Sequence, residues 1–252
     1  MRQIHYTPGR FVWHELVTSD VDSARRFYGE LLGWQVERAC EDDRPYNYLT
    51  RNGHRIGGLV QRPGPHVPPH LLGYVSVLDF EGTLERAREH RAAVLAPPAD
   101  TPIGRTAVLQ DPQGAIFALC RAQHGDSLHA AAQPERARLA WDQLDSSDAE
   151  RAAAFYGNVI GWQRAPRPGD PSLSTFTHNA FAVAGLRQAP QGTFASWLVH
   201  VRVDDLRRAR ARARELGGTI LIETIVHAGL GELCVLHDKL GAIFGLFEQA
   251  AP

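Results

Sequence analysis

Trp13–Gln35 reads WHELVTSDVDSARRFYGELLGWQ, and Trp141–Gln163 reads WDQLDSSDAERAAAFYGNVIGWQ. Laid over each other without a gap, 11 of these 23 positions are identical: Trp13/Trp141, Leu16/Leu144, Ser19/Ser147, Asp20/Asp148, Ala24/Ala152, Phe27/Phe155, Tyr28/Tyr156, Gly29/Gly157, Gly33/Gly161, Trp34/Trp162 and Gln35/Gln163. Ordinary residue usage predicts about one or two matches. A second echo, DPQGAIF at 111–117 and DKLGAIF at 238–244, lies at nearly the same offset, 127 against 128 residues. The chain is therefore a tandem of two like halves.

Each half repeats one order of elements. Phe11–Val17 reads as a strand, and Ser19-Asp20 supplies a helix cap. Val21, Ala24, Phe27, Tyr28, Leu31 and Leu32 then fall at helical spacing up to Gly33. Tyr46–Thr50 and Arg55–Val60 read as strands around an Asn52-Gly53 turn. Gln61–His70 (QRPGPHVPPH) reads as a linker. Strand Tyr74–Leu78, helix Thr83–Arg91 and strands Val94-Leu95, Thr106–Gln110 and Ala115–Arg121 complete a second unit. Ala122–Arg138 joins the halves, and Arg187–Phe194 is the corresponding linker in the second. The expected domains are 1–122, with modules 11–60 and 71–122, and 139–252, with modules 139–186 and 195–248. All four modules have the order β-α-β-β-β, an α+β fold.

The formal net charge of -1 gives no field that favours nucleic acid or an anionic membrane. Helix 205–216 carries a run of arginines, which reads as a solvated face in a chain whose only lysine is Lys239. Three cysteines, Cys40, Cys120 and Cys234, form no CxxC motif and no disulfide framework. There is no apolar leader and no run of 18 apolar residues, so the expectation is a soluble cytoplasmic protein, monomer or homodimer.

The strand, the A-x-x-F-Y helix ending in G-W and the closing D-x-x-G-A-I-F hairpin resemble the vicinal oxygen chelate superfamily. That group includes glyoxalase I, bleomycin-resistance proteins and extradiol dioxygenases, and its tandem two-domain glyoxalase-like members are often labelled hydroxylases. The resemblance covers about Phe11 to Phe247. It implies that each pair of modules curls into an open eight-stranded cup with a small molecule or metal on its inner wall. The resemblance also places the metal ligands of such proteins at Trp13, Leu72, Ala118, Trp141, Leu198 and Gly245. None of these side chains is a metal ligand, so no metal and no cofactor is expected. His14, beside Trp13, alternates onto the helix-covered face and reads as a structural histidine.

Strand alternation assigns the inner faces. In the second half Trp141, Gln143 and Asp145 point inward with His200 and Arg202. In the first half Trp13, Glu15 and Val17 join Tyr74 and Ser76, and Ile116, Ala118 and Cys120. Trp13 and Trp141 are candidate flat walls for a planar ligand. Tyr74, Gln143, Arg202 and Cys120 are further candidate ligand contacts. His200, oriented by Asp145, and Glu15 are candidate acid/base groups.

Three functions fit these residues. The first is a metal-free binding protein for a planar or aromatic metabolite or antibiotic. The second is a metal-free isomerase, lyase or cyclase that moves protons through His200 or Glu15. The third, a metal-dependent glyoxalase or dioxygenase, is opposed by the ligand positions. Whether the chain is an enzyme stays open in the sequence.

Overall fold

The computed structural model describes residues 5–41, 44–126, 139–167, 170, 172–227 and 230–250. Most of the joining segment, 127–138, lies outside the described residues. The first half contributes β1 (Phe11–Thr18), α1 (Val21–Leu32), β2 (Gln35–Glu41), β3 (Arg44–Arg51), β4 (His54–Gln61), β5 (His70–Ser76), α2 (Phe80–Glu89), β6 (Ala93–Thr101), β7 (Gly104–Gln110) and β8 (Ile116–Arg121). The second half contributes β9 (Leu139–Ser146), α3 (Ala149–Ile160), β10 (Gln163–Pro166), β11 (Leu173–His178), β12 (Phe181–Gln188), β13 (Ser196–Arg202), α4 (Leu206–Glu215), β14 (Thr219–His227), β15 (Gly231–His237) and β16 (Ile243–Gln249).

Two open eight-stranded sheets result, ordered β2-β3-β4-β1-β5-β8-β7-β6 and β10-β11-β12-β9-β13-β16-β15-β14. β1 and β4 are parallel, as are β5 and β8, β9 and β12, and β13 and β16. The expected α+β fold of four β-α-β-β-β modules is the observed one.

Several boundaries differ from the sequence reading. Helix α2 starts at Phe80 because the Asp79 side chain accepts from the backbone N–H of Gly82, which caps it earlier than Thr83. Strand β5 begins at His70, inside the stretch read as linker. Strand β6 runs from Ala93 to Thr101 through Pro97 and Pro98. It is the last strand of its sheet, and its pairing with β7 shifts register between Ala96 and Ala99, so the two prolines fall where the ladder is interrupted.

The residues gather into two compact units that do not follow the halves. One combines the chain up to Trp13, the stretch starting at Leu72, and Asp142–Trp197. The other combines His14–Leu71 with the stretch starting at Leu198. In the first, α2 packs against α3 over a core that holds Val75, Leu84, Phe117 and Leu119 from the first half with Leu144, Phe155, Tyr156 and Trp162 from the second. In the other, α1 packs against α4.

The repeated Phe-Tyr-Gly and Asp-x-x-Gly motifs meet inside these units. Tyr156 donates to Asp111 at 3.0 Å and its ring stacks on Trp162 at 5.3 Å. Tyr28 donates to Asp238 at 3.2 Å and stacks on Trp34 at 5.4 Å. On α4, Arg212 pairs with Glu30 and Glu215, while Arg210 and Arg214 pair with Glu223. These arginines are a bonded surface, as expected of a solvated face. No helix among the described residues is long and apolar enough to cross a membrane.

Candidate ligand-binding site

Strands β13, β15 and β16 build one inner face. His200 lies opposite Gly245 and Arg202 opposite Phe247. Val235 pairs with Gly245 and Leu233 with Phe247. Paired residues point to the same side of a sheet. Leu198, His200 and Arg202 therefore share a face with Leu233, Val235, Gly245 and Phe247. Leu198, Leu233 and Val235 form a buried apolar cluster against which Ile225 and Phe247 pack.

His200 is the buried polar group on this wall, 3% exposed. Its Nδ1 lies 3.3 Å from the Trp141 carbonyl oxygen. A carbonyl only accepts, so Nδ1 carries the proton in this bond. The ring lies over Gly245, where an added Cβ would stand 3.0 Å from Nε2 and 3.1 Å from Cγ. Glycine at 245 is what lets the imidazole approach β16 this closely. Trp141 and Arg202 are half-buried.

Asp145 does not act as the expected partner that orients His200. Arg187, opposite it on β12, clamps its carboxylate with Nε at 2.8 Å from Oδ1 and with Nη2 on Oδ2. Gln143 donates to the same Oδ1 at 2.9 Å. The hydrogen bond to Asp145 holds the Arg187 guanidinium above its ordinary pKa, against the opposing effect of burial. Gln143, Asp145 and Arg187 thus form one bonded group.

In the first half, Glu15, Gly58, Tyr48 and Glu37 form a row across β1, β4, β3 and β2. Glu15 is half-buried and accepts the Tyr46 hydroxyl. A Cβ on Gly58 would fall 2.7 Å from Tyr46 Cζ, so the phenol lies across a position that only glycine leaves open. Tyr46 and Tyr48 meet edge to face at 4.7 Å, and the Arg55 guanidinium lies 3.7 Å over the Tyr48 ring while it pairs with Glu37.

Two expected contacts are corrected by burial. Trp13 is 2% exposed, as enclosed as His200, and stands among the core side chains. Cys120 is fully buried, with Sγ donating to the Ile103 carbonyl at 3.8 Å, and is a packing residue. Tyr74, opposite Ala118, is 5% exposed. Sequence reasoning missed Tyr46 and Arg187. The Gly57-Gly58 pair inside a strand was a usable signal of close approach, whereas Arg187 fell in a stretch read as linker.

A family model described as the glyoxalase/bleomycin resistance protein/dioxygenase superfamily matches residues 5–119, and one described as a glyoxalase-like domain matches 143–247. The chain belongs to this superfamily. The Mycobacterium tuberculosis protein "Putative glyoxylase CFP32" is 27% identical over 99% of this chain and 98% of its own length. The anthracycline biosynthesis protein DnrV of Streptomyces peucetius is 36% identical over 124 residues, 47% of this chain and 43% of that protein. Among solved structures, the Mn(II)-bound glyoxalase from Novosphingobium aromaticivorans superposes with a TM-score of 0.63 at 16% identity, covering 98% of this chain and 83% of that one. The 2,3-dioxygenase LapB from Pseudomonas sp. KL28 gives 0.61 at 15%, covering 97% and 92%.

The superfamily includes metal proteins, and the donor set here does not fit one. Trp13, Leu72, Ala118, Trp141, Leu198 and Gly245 offer no ligating side chain. Among the described residues no three His, Cys, Asp or Glu side chains gather as a metal site would require. His200 stands as one donor on an apolar wall.

Proposed function

We propose that this glyoxalase-like protein, built from domains 1–122 and 139–252, binds a planar or aromatic small molecule on the inner face of its second sheet without a metal. The observation that supports this most is the wall of Leu198, Leu233, Val235, Ile225 and Phe247 with a single imidazole at its floor. Apolar lining with few polar groups is the common character of small-molecule sites. The half-buried Trp141 supplies a ring beside it. The similarity of one half to an anthracycline biosynthesis protein agrees with a polycyclic aromatic ligand.

The test is titration of purified protein with a neutral planar probe, 7-methoxycoumarin, followed by tryptophan fluorescence and calorimetry. The expected result is saturable binding, weakened in Trp141→Ala by about 1–3 kcal/mol through loss of stacking and apolar contact. Protein prepared without chelator should contain no stoichiometric Zn, Fe, Mn or Ni. One equivalent of metal lost in His200→Ala would overturn the metal-free reading.

A further inference from the structure

Where α2 packs on α3, a hollow of about 260 Å³ opens to solvent, lined by Glu89, His90 and Arg91 at the end of α2 and by Arg151, Phe155 and Asn158 of α3. We infer that this hollow binds a small organic phosphate, with Arg91 and Arg151 on the dianionic phosphoryl group. Among the described residues neither guanidinium has a hydrogen bond or an ion pair, and the side chains of His90 and Asn158 have none either. On the same helix Arg86 and Arg88 are committed to Asp79 and Glu85.

Arg91 is held where a side chain is costly. It follows the last turn of α2 at φ 67, while the Ala92 N–H donates across it to the Ala87 carbonyl. The left-handed residue of this closing motif is usually glycine. Helix α4 closes in the same way with Gly217 at φ 87, and Gly218 donates to Ala213. The counterparts of Asn158 and Arg151 at the repeat offset are Glu30 and Ser23. Glu30 is bound by Arg212, which also pairs with Glu215, the residue that ends α4 as Glu89 ends α2. The α1–α4 pair thus satisfies its own charges, and the α2–α3 pair sets two unpaired guanidiniums against one carboxylate.

That balance selects the ligand. Glu89 offsets one of the two positive charges, so a monoanion gains little, while a dianion still meets a surplus. Two planar N–H forks, with further donors from His90 and Asn158, exceed what the two oxygens of a carboxylate accept and suit the three of a phosphate monoester. Phe155, Ala154 and Pro112 add apolar surface to the lining, which favours a phosphate that carries a carbon group over the inorganic ion.

The experiment is calorimetric titration at constant ionic strength with phenyl phosphate, inorganic phosphate and benzoate. Phenyl phosphate should bind saturably at one site, more tightly than inorganic phosphate and about tenfold or more tighter than benzoate. Arg91→Gly and Arg151→Ala should each weaken it by about tenfold or more. Arg88→Gln removes the same charge from the end of α2 but lies outside the lining, and should leave the affinity unchanged. Arg91→Gly installs the residue that the second half carries, so it should melt no lower than the parent, which separates lost binding from lost folding. No saturable binding to the parent, benzoate bound as tightly as phenyl phosphate, or Arg88→Gln weakening it as much as Arg91→Gly and Arg151→Ala would each overturn the inference.

Discussion

Tyr156 Oη donates to Oδ2 of Asp111 across 45 residues of sequence, while Asp111 Oδ1 accepts from the backbone N–H groups of Gln113 and Ala115. Tyr28 and Asp238 repeat this arrangement, with Leu240 and Ala242 as the backbone donors. Each Tyr belongs to one half of the chain and its Asp to the other. Replacing Tyr156 by phenylalanine would leave a buried carboxylate oxygen without that donor, a cost of about 1–3 kcal/mol. For a protein of this length the melting temperature should fall by about 3–10 °C. Thermal unfolding of Tyr156→Phe and Tyr28→Phe measures it, and unchanged melting in both would show the bonds to be energetically idle.

The same tyrosines make a prediction in alkali. Burial, then the charge of the neighbouring aspartate, holds both phenols well above the ordinary range. A group whose folded pKa is raised contributes its full stability below the unfolded value, near pH 10, and loses it as pH rises further. Absorbance titration at the phenolate band should therefore ionise at most four of the six tyrosines while the protein stays folded. Titration of all six before the circular dichroism changes would contradict the burial.

Gly58 and Tyr46 should be energetically coupled. A Cβ at position 58 meets the Tyr46 ring at 2.7 Å and the Glu15 side chain at 3.0 Å. Gly58→Ala should destabilise by about 1–3 kcal/mol through overpacking. Adding Tyr46→Leu, which removes the ring, should recover part of that loss. A strictly additive double mutant in urea unfolding would place Tyr46 elsewhere.

Burial pushes the Cys234 thiol up to about 11. At pH 8 its thiolate population should be about 10²-fold below that of the unfolded chain, before any steric protection is counted. Mass spectrometry after iodoacetamide should find Cys234 unmodified in native protein and modified in urea. Equal rates in both states would show the residue to be open.

The sequence carried the element order, the repeat and the facing of most strand residues, because these depend on local spacing. Alternation placed His200 opposite to Val199 and Val201, and it holds in the register with Gly245. It placed Trp13 and Cys120 on inner faces too, but alternation says nothing of how deeply a residue is enclosed, and both are sealed from solvent. Asp145 was read toward His200 because both are inward. Its nearest strong donor, Arg187, could be known only from the pairing of β12 with β9.

By itself the sequence determined two like halves and four β-α-β-β-β modules, since residue type and period settle both of these. Tertiary structure alone decided which copy of each repeated motif its partner would meet. The Phe-Tyr helix of each half has an equivalent Asp-x-x-Gly turn in both halves, so no local signal can choose between them. Packing of α2 on α3 and of α1 on α4 chose the turn in the opposite half, and buried each phenol against an aspartate more than 40 residues away or more than 200.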